Sequence, residues 1–393
     1  MRVIRHLMSR PSLTSREGTM TRRNRTHTST GRTRAALIAA ASAALIAPLA
    51  LAGPDAQAAP PTGDERTPLE RTAADRPRAS AVVTGDDPID YVALGDSFSA
   101  GPLVPALQLA DLGCVRSTNN YPAFLADYFD VASFIDVTCS GAETADLYKQ
   151  RQSTIIPGPA PAYQVKALSK ATDLVTVGIG GNDYGLFGSM ISDCGELAKE
   201  RPNGAPCKAR FTNRKGVDTK LRDAKRIQRD VARSLRAVHR HAPHAEVYVI
   251  GYPRLLPERG SCDAVGFAKR DYAWGNRIER RLNLSLKNAA KATGARYVDL
   301  YPASRGHDAC AKQEAWINGK NLKPLQAANF HPYLRGMRGA AQAIYHQLTG
   351  GRTAPAGIFA WPPIGGQPTV RMTPDRARTI DDAWAQWERA QGS

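Results

Sequence analysis

The stretch Tyr91-Val-Ala-Leu-Gly-Asp-Ser-Phe-Ser-Ala-Gly101 decides the fold. It starts as a continuous apolar run, which is typical of a buried strand in a parallel sheet, and then changes abruptly to small and polar residues. Ser97 therefore falls where a strand ends and a helix begins. Ligands of α/β proteins bind at this carboxyl edge of the sheet. The Ser97 hydroxyl thus lies at a candidate site, although a helix N-cap is the simpler interpretation of a single Ser at such a turn.

Apolar strands and amphipathic helices alternate after this stretch. Strands are predicted at residues 89–94, 134–137, 174–179, 247–250 and 296–300. Helices are predicted at residues 121–128, 218–241, 267–293 and 334–348. This alternation predicts an α/β fold, a three-layer α/β/α sandwich with a central parallel sheet. The segments left as loops are residues 102–118 and 185–211.

The predicted helix at residues 218–241 has one apolar face and one basic face. Its apolar side chains recur with a period near 3.6 residues, as expected of a helix packed on a core. The basic residues of the opposite face are Arg222, Lys225, Arg226, Arg229, Arg233 and Arg236. Such a face is suited to a polyanion, but a solvated surface is the simpler interpretation.

The beginning of the chain has the pattern of an export signal. An arginine-rich segment precedes an apolar run at residues 35–52, and Ala56-Gln57-Ala58 matches a small-x-small cleavage site. Residues 1–58 therefore predict a signal peptide and a secreted, extracellular protein, with an uncleaved membrane anchor as the alternative. The Arg22-Arg23 pair leaves open whether export uses the twin-arginine or the general route.

Two further segments flank the predicted globular domain of residues 88–350. Residues 59–87 are rich in Pro, Arg, Asp and Thr and predict a disordered linker or pro-segment. Residues 351–393 form a C-terminal extension. This extension is expected to be either a flap packed on the domain or a surface-binding tail.

All six cysteines follow the predicted cleavage site. An even number of cysteines in an exported protein predicts disulfides. Sequential pairing is the simplest arrangement, because each bridge would close a local loop: Cys114 with Cys139, Cys194 with Cys207, and Cys262 with Cys310. Other pairings remain open. A zinc site is disfavoured because the sequence has no Cys-x-x-Cys spacing.

The chain is basic, with a formal net charge of +17. A basic secreted protein is attracted to anionic lipid surfaces or wall polymers, and a transient anionic lipid interface is a candidate partner. A solvated basic surface with no partner is the simpler interpretation. Nucleic acid is not expected, because no recognition motif accompanies the charge. We expect a monomer.

Residues suited to acyl transfer follow three successive predicted strands. Such a site needs a nucleophile, a base and donors for an oxyanion. Gly141 follows the second strand and Asn182 the third, at the same edge as Ser97, and a glycine N–H or a side-chain amide can serve as a donor. The candidate base is His331, just before the last predicted helix. Each residue alone is more simply a turn or cap residue, but their common register favours a site.

Four segments together resemble the GDSL, or SGNH, hydrolase superfamily. The blocks appear in the family's order: Gly95-Asp96-Ser97-Phe98-Ser99, Cys139-Ser140-Gly141-Ala142, Gly180-Gly181-Asn182-Asp183 and Phe330-His331-Pro332. The resemblance covers residues 88–348 and is greatest to secreted, Streptomyces-type lipases and esterases with three disulfides. It implies the SGNH-hydrolase form of the sandwich, which is flavodoxin-like.

The resemblance also implies an activity, that of a carboxylic ester hydrolase acting on acyl or lipid esters. Ser97 would form the acyl-enzyme, and His331 would be the general base. The oxyanion hole would consist of the Ser97 and Gly141 N–H groups and the Asn182 side chain. No metal or organic cofactor is implied. Related enzymes leave three alternatives open: a carbohydrate acetylesterase, a phospholipase A and a lipid acyltransferase.

One position departs from the family pattern. Most members carry Asp three residues before the histidine, whereas this chain has Ala328. We hypothesise that a backbone carbonyl near residues 326–329 accepts the His331 Nδ1–H instead. Asp96 and Asp183 are interpreted as residues that fix their loops. A non-catalytic wall- or membrane-binding protein is the alternative from outside the enzymes.

Overall fold

A computed structural model describes residues 88–156 and 160–355. Within these residues, five parallel strands form one sheet in the order β2-β1-β3-β4-β5. The strands are β1 (Asp90–Gly95), β2 (Ser133–Asp136), β3 (Leu174–Gly178), β4 (Glu246–Ile250) and β5 (Arg296–Val298). The strand order reverses between β1 and β3, and a crevice forms at the carboxyl ends of strands at such a point.

Helices cover both faces of the sheet, as predicted. They are α1 (Ser97–Ala100), α2 (Tyr121–Tyr128), α3 (Leu186–Glu200), α4 (Pro206–Arg210), α5 (Thr219–His241), α6 (Asp271–Thr293), α7 (Leu300–Ala303) and α8 (Leu334–Leu348). Short 3-10 helices lie at Leu109–Cys114, Thr144–Leu147, Gln164–Ala167, Asp183–Gly185 and Lys312–Glu314. The apolar side chains of α5 and α6 pack in one core cluster, and those of α2 and α8 pack in another.

Strand β1 contributes to both cores, which explains its continuous apolar sequence. Val92 and Leu94 pack with the α5 and α6 side chains, whereas Tyr91 and Ala93 pack with those of α2 and α8. Alternate side chains of a strand point to opposite faces of the sheet, so a strand covered on both faces needs apolar residues at every position. β1 is therefore held firmly at the centre of the sandwich, and the residues that follow it are placed by this packing.

Three disulfides confirm the sequential pairing. Cys114 bonds Cys139, Cys194 bonds Cys207, and Cys262 bonds Cys310. All six thiols are used in these bridges, so the alternative of a zinc–thiolate site is wrong.

The prediction of a loop at residues 185–211 is wrong, because this segment contains α3 and α4. Leu186, Met190, Cys194 and Ala198 recur every four residues and are the buried side chains of α3. Their spacing is helical, but four widely separated residues in a segment rich in Ser, Gly, Lys and Glu make a weak periodic pattern. The bridge between Cys194 and Cys207 then fastens α3 to α4. The other predicted loop, residues 102–118, contains the 3-10 helix Leu109–Cys114.

Two predicted boundaries differ from the structure by more than one residue. The helix predicted from residue 267 begins at Asp271, because the Lys269 and Arg270 N–H groups donate to the Pro202 and Gly204 carbonyls. The strand predicted to residue 300 ends at Val298, since the side chain of Asp299 caps α7.

The predictions for the two ends of the chain concern residues that the structure does not describe. These are the signal peptide, the linker and nearly all of the C-terminal extension. Within the described residues, no helix is both long and apolar enough to cross a membrane.

Candidate active site

Ser97 is the first residue of α1, at the carboxyl end of β1. Asp96 caps this short helix, and its carboxylate accepts a hydrogen bond from the Phe98 N–H at 2.9 Å. The simpler interpretation of Ser97 as the cap residue is therefore wrong, because Asp96 takes that position. The Ser97 side chain is left without a capping function at the carboxyl end of β1, where the strand order reverses.

The turn before Ser97 is packed too tightly for any residue but glycine. A Cβ atom on Gly95 would lie 2.5 Å from Ser99 Oγ and 2.6 Å from the Gly178 carbonyl oxygen. The buried Gln164 side chain makes two hydrogen bonds to Gly95, accepting from its N–H at 2.7 Å and donating to its carbonyl at 2.9 Å. The end of β1 is thus fixed by a side chain that pairs with it as a strand would.

The Gly141 and Asn182 segments are joined directly to each other. Asn182 Nδ2 donates to the Ala142 carbonyl at 2.9 Å. An amide nitrogen has two hydrogens, so one remains for a ligand. Gly141 has a φ of +85°, a left-handed conformation that favours glycine. The Cys139 N–H, two residues earlier, donates to the Gly95 carbonyl at 3.0 Å, which ties this segment to the Ser97 turn.

His331 lies beside α1. Its ring centroid is 5.4 Å from that of Phe98, the neighbour of Ser97. The loop that carries His331 is also hydrogen-bonded to the segment after α1, since the Ala328 N–H donates to the Pro102 carbonyl at 3.0 Å. The structure therefore brings all four sequence-predicted segments to one edge of the sheet.

The partner of His331 Nδ1 is the Asn329 carbonyl oxygen, at 2.8 Å. This contact confirms the predicted backbone carbonyl, and Ala328 at the family's Asp position is a buried methyl side chain. A proton on Nδ1 leaves Nε2 as the basic nitrogen of the ring. Burial lowers the pKa of His331 to about 4, with an opposing, smaller effect of the Asn329 hydrogen bond. The imidazole is therefore neutral at pH 7.

Asp96 and Asp183 fix loops, as predicted. Besides capping α1, the Asp96 carboxylate accepts a hydrogen bond from the Tyr252 hydroxyl. Asp183 accepts two hydrogen bonds from Thr144, from its hydroxyl at 2.6 Å and its N–H at 3.1 Å. Burial raises the pKa of both carboxyls to about 7. Both carboxylates are occupied in holding the site's segments together.

A family model described as the GDSL-like Lipase/Acylhydrolase family matches residues 93–339. The chain belongs to this family. It is a carboxylic ester hydrolase, and the five-stranded parallel sheet with helices on both faces is the family's fold. The match spans the Ser97, Gly141, Asn182 and His331 segments.

The relatives of this GDSL-like hydrolase include bacterial enzymes and solved structures. Lipase 2 of Streptomyces coelicolor is 39% identical over 265 residues, which cover 65% of this chain and 84% of that protein. The crystal structure of phospholipase A1 from Streptomyces albidoflavus superposes with a TM-score of 0.53 at 29% identity, covering 68% of this chain and all of that one. An extracellular lipase from Streptomyces rimosus gives a TM-score of 0.52 at 28% identity, covering 65% and 98%.

Two residues that position the candidate site were not identified from the sequence. Tyr252 joins two segments, because its hydroxyl donates to Asp96 and accepts from the Gly181 N–H at 2.7 Å. It follows β4 at the carboxyl edge, so the criterion that identified Gly141 and Asn182 applies to it as well. Gln164 has no such signal, because it lies in a 3-10 helix between strands.

Proposed function

We propose that this hydrolase cleaves acyl esters through a covalent intermediate on Ser97, with His331 as general base. The support is the convergence of the two segments: the Phe98 and His331 rings are 5.4 Å apart, and His331 Nδ1 is held by the Asn329 carbonyl. The Nδ1 contact leaves Nε2, on the other side of the ring from Asn329, as the basic nitrogen. This arrangement is the Ser–His part of a triad, with a carbonyl in place of the usual carboxylate.

The proposed reaction has two halves. Ser97 Oγ attacks the ester carbonyl carbon while His331 Nε2 takes the hydroxyl proton, and the carbonyl oxygen becomes an oxyanion. The C–O bond to the alcohol then breaks, and His331 returns the proton to the leaving oxygen. In the second half a water molecule gives a proton to His331 and attacks the acyl-enzyme carbonyl. The bond to Ser97 Oγ then breaks, His331 returns the proton to that oxygen, and the carboxylic acid leaves.

The proposed oxyanion hole consists of the Ser97 N–H, the Gly141 N–H and the second hydrogen of Asn182 Nδ2. The Asn182 amide is held by the Ala142 carbonyl at 2.9 Å, so the donor is oriented before substrate arrives. A pre-oriented donor stabilises the transition state without reorganisation during the reaction. Asp183 supports the same segment through Thr144.

The low pKa of His331 predicts activity well below neutral pH. The base acts as neutral imidazole, and burial lowers the pKa to about 4, so acid removes the base only near that pH. We expect kcat/KM on a soluble ester to stay within about twofold from pH 7 to about 5 and to fall near pH 4. Released acid, separated by chromatography, is the readout. Enzyme returned from pH 4 to pH 7 must recover its activity.

An acid limb centred near pH 6.5 would contradict this expectation, because it is where an unperturbed imidazole titrates. A limb near pH 7 would indicate that the Asp96 or Asp183 carboxyl controls the site instead.

We also propose that the substrate is a lipid ester presented at an interface. Five of the seven large apolar side chains exposed in the described residues belong to segments adjacent in sequence to the site's segments, and we call them the apolar rim: Leu112, Ile156, Tyr184, Leu322 and Leu325. Each belongs to a segment next to a site residue. Tyr184 is two residues after Asn182, for instance, and Leu325 is 61% exposed in the loop before His331. Exposed apolar groups around an active site favour contact with an apolar surface.

Removing part of the apolar rim is expected to impair catalysis at interfaces selectively. The double variant Leu112→Ser, Leu325→Ser should lower the ratio of activity on emulsified long-chain ester to activity on soluble p-nitrophenyl butyrate by about tenfold or more, since each leucine loses up to about 1.5–3 kcal/mol of burial. Leu284→Ser is the matched control, because Leu284 is 44% exposed on α6. Its ratio should not change. Equal ratios in the double variant and the parent would overturn the interface proposal.

The lipid ester of this proposal could be a phospholipid or a neutral lipid, which differ in whether the molecule carries a phosphate headgroup. The likeness to a phospholipase A1 at 29% identity supports a test with phospholipid. The net charge of +10 that remains once the +7 of residues 1–58 is removed from +17 favours an anionic lipid surface as the transient partner. We propose that the chain acts as a monomer. We further propose that it is secreted, which is supported by its three disulfides and by the extracellular relative.

A further inference from the structure

Helices α5 and α6, both wholly described, expose only positive charge. They pack side by side in one core cluster, and Asn288 Nδ2 bridges them by donating to Gln228 Oε1 at 3.3 Å. Every exposed ionisable side chain on the two helices is Arg or Lys. Their four acidic residues are all buried: Asp223, Asp230, Asp271 and Glu279. We call the exposed side of the two helices the basic face.

Most of this charge is not neutralised within the protein. Arg222 and Arg226 lie 3.4 and 3.5 Å from the Asp223 carboxylate, and Arg233 pairs with Asp230. The other exposed bases of α5 have no carboxylate within 4.0 Å in the described part of the chain: Lys225, Arg229, Arg236 and Arg240. The same holds for four bases of α6: Arg277, Arg280, Lys287 and Lys291. A ligand would therefore meet free cationic groups.

The length of the basic face favours an elongated ligand over a small one. Each helix has 23 residues, which corresponds to about 34 Å. On α5 the exposed bases extend from Arg222 near its start to Arg240 near its end. Salt screens charge over about 8 Å at physiological ionic strength, so a small anion would interact with only a part of the face. A linear polyanion matches the whole of it.

A bilayer is a poorer match for the basic face. Lys220 Nζ, at the start of α5, donates to the Gly185 carbonyl beyond β3, so α5 begins at the active-site edge and extends away from it. A membrane docked on the apolar rim would thus leave the far bases roughly 20 Å or more from its surface. The basic face also offers little to insert, because Leu284 is its one large exposed apolar side chain.

Single-stranded nucleic acid is also a poorer match, for a different reason. Single strands are held largely by base stacking on aromatic side chains. Helix α5 contains no aromatic residue, and Tyr272 and Trp274 of α6 are buried. The two helices therefore have the charge for a phosphate backbone but no exposed aromatic ring of their own on which bases would stack.

We propose that the basic face binds a linear, water-soluble phosphate polymer beside the active site. Eight of its eleven exposed bases are Arg, whose planar guanidinium forms paired hydrogen bonds to phosphate oxygens. The two surfaces meet at Tyr184, because the Arg226 guanidinium lies 4.1 Å from the centre of its ring. Polymer on the basic face would leave Ser97 and the other four rim residues free, so the enzyme can stay on the polymer while it hydrolyses ester. The proposal does not depend on the proposed catalytic roles, and Ser97→Ala should bind polymer as the parent does.

Labelled long-chain inorganic polyphosphate tests the proposal by fluorescence anisotropy on the full chain. The test variant combines Arg229→Gln, Arg236→Gln, Lys287→Gln and Lys291→Gln. It should bind at least about tenfold more weakly than the parent near 100 mM salt, and the slope of log affinity against log salt should become shallower by about 3. The matched control removes four exposed charges outside the two helices, at Arg259, Arg305, Lys312 and Arg352. It should keep the parent's slope to within about 1. Thermal unfolding checks that each variant is folded.

Two outcomes would overturn the proposal. The first is equal loss of polyphosphate affinity in the test variant and the control, which would reduce the effect to net charge. The second is displacement of polyphosphate from the parent by vesicles of anionic phospholipid, which would make a bilayer the occupant of the basic face. A ternary complex of enzyme, vesicle and polymer supports the proposal.

Discussion

Ser97→Ala is expected to lower kcat on a soluble p-nitrophenyl ester by roughly 10⁴- to 10⁶-fold, the range found when a serine nucleophile is removed. The acyl-enzyme cannot form without the hydroxyl, and the remaining donors can only assist direct attack by water. Thermal unfolding should change little, since Asp96 and not Ser97 caps α1. The readout is steady-state turnover, together with loss of the initial burst of product.

Ser99→Ala is the matched control for this prediction. Ser99 lies in the same short helix and is buried, but its hydroxyl is paired with the Tyr121 hydroxyl at 2.9 Å. Its loss should reduce stability by about 1–2 kcal/mol and keep activity within about tenfold of the parent. Comparable losses of kcat in both variants would show that α1 is sensitive to any change, and would remove the evidence for Ser97 as nucleophile.

His331→Ala is expected to cause the second large loss, about 10⁴-fold or more in kcat with little change in KM. Among the described residues, the imidazole is the basic group held beside α1, and attack by Ser97 Oγ is slow without a proton acceptor. Combining His331→Ala with Ser97→Ala should lower kcat little below that of Ser97→Ala alone, because the effects of residues that act as a unit are not additive.

His307 provides the control for His331. It has the same kind of partner, since its Nδ1 lies 2.7 Å from the Glu314 carbonyl, and it stacks on Trp316 with centroids 5.0 Å apart. His307→Ala removes an equivalent side chain from the neighbouring loop and should keep kcat within about threefold of the parent. An equal loss of kcat in both variants would mean that loop structure, not proton transfer, explains the effect at His331.

Much of the framework could be predicted because its causes are local. Strand β1 is apolar at every position since it is covered on both faces, and α5 and α8 show helical periodicity. The four motif segments were found because each follows a strand or precedes the last helix. The sequential disulfide pairing could be predicted because each bridge closes a local loop.

The features that sequence missed depend on contacts between distant segments. Tyr252 meets Asp96 across 156 positions of the sequence, and Gln164 meets Gly95 across 69. Nothing in the local sequence of either residue specifies such a partner. Helix α3 was missed because a disulfide and four spaced apolar residues hold it, so its pattern is diluted by exposed polar residues. Packing within the folded chain determines these features.

The basic face also depends on contacts between distant segments, which a single stretch of sequence does not show. The sequence identified a basic stripe on one helix, for which a solvated surface was the simpler interpretation. The neighbouring stripe on α6 and the burial of all four acidic residues became apparent only when the two helices were placed side by side. The basic residues of one helix are a common pattern, but those of two adjacent helices form one continuous basic surface.

A crystal structure of the enzyme treated with an alkyl fluorophosphonate tests the central claim most directly. We predict phosphorus bonded to Ser97 Oγ, with the phosphonyl oxygen about 2.7–3.1 Å from the Gly141 nitrogen and Asn182 Nδ2, and His331 Nε2 within hydrogen-bond distance of Ser97 Oγ. A label on another residue would contradict the account. So would an adduct on Ser97 whose phosphonyl oxygen points into solvent, away from Gly141 and Asn182.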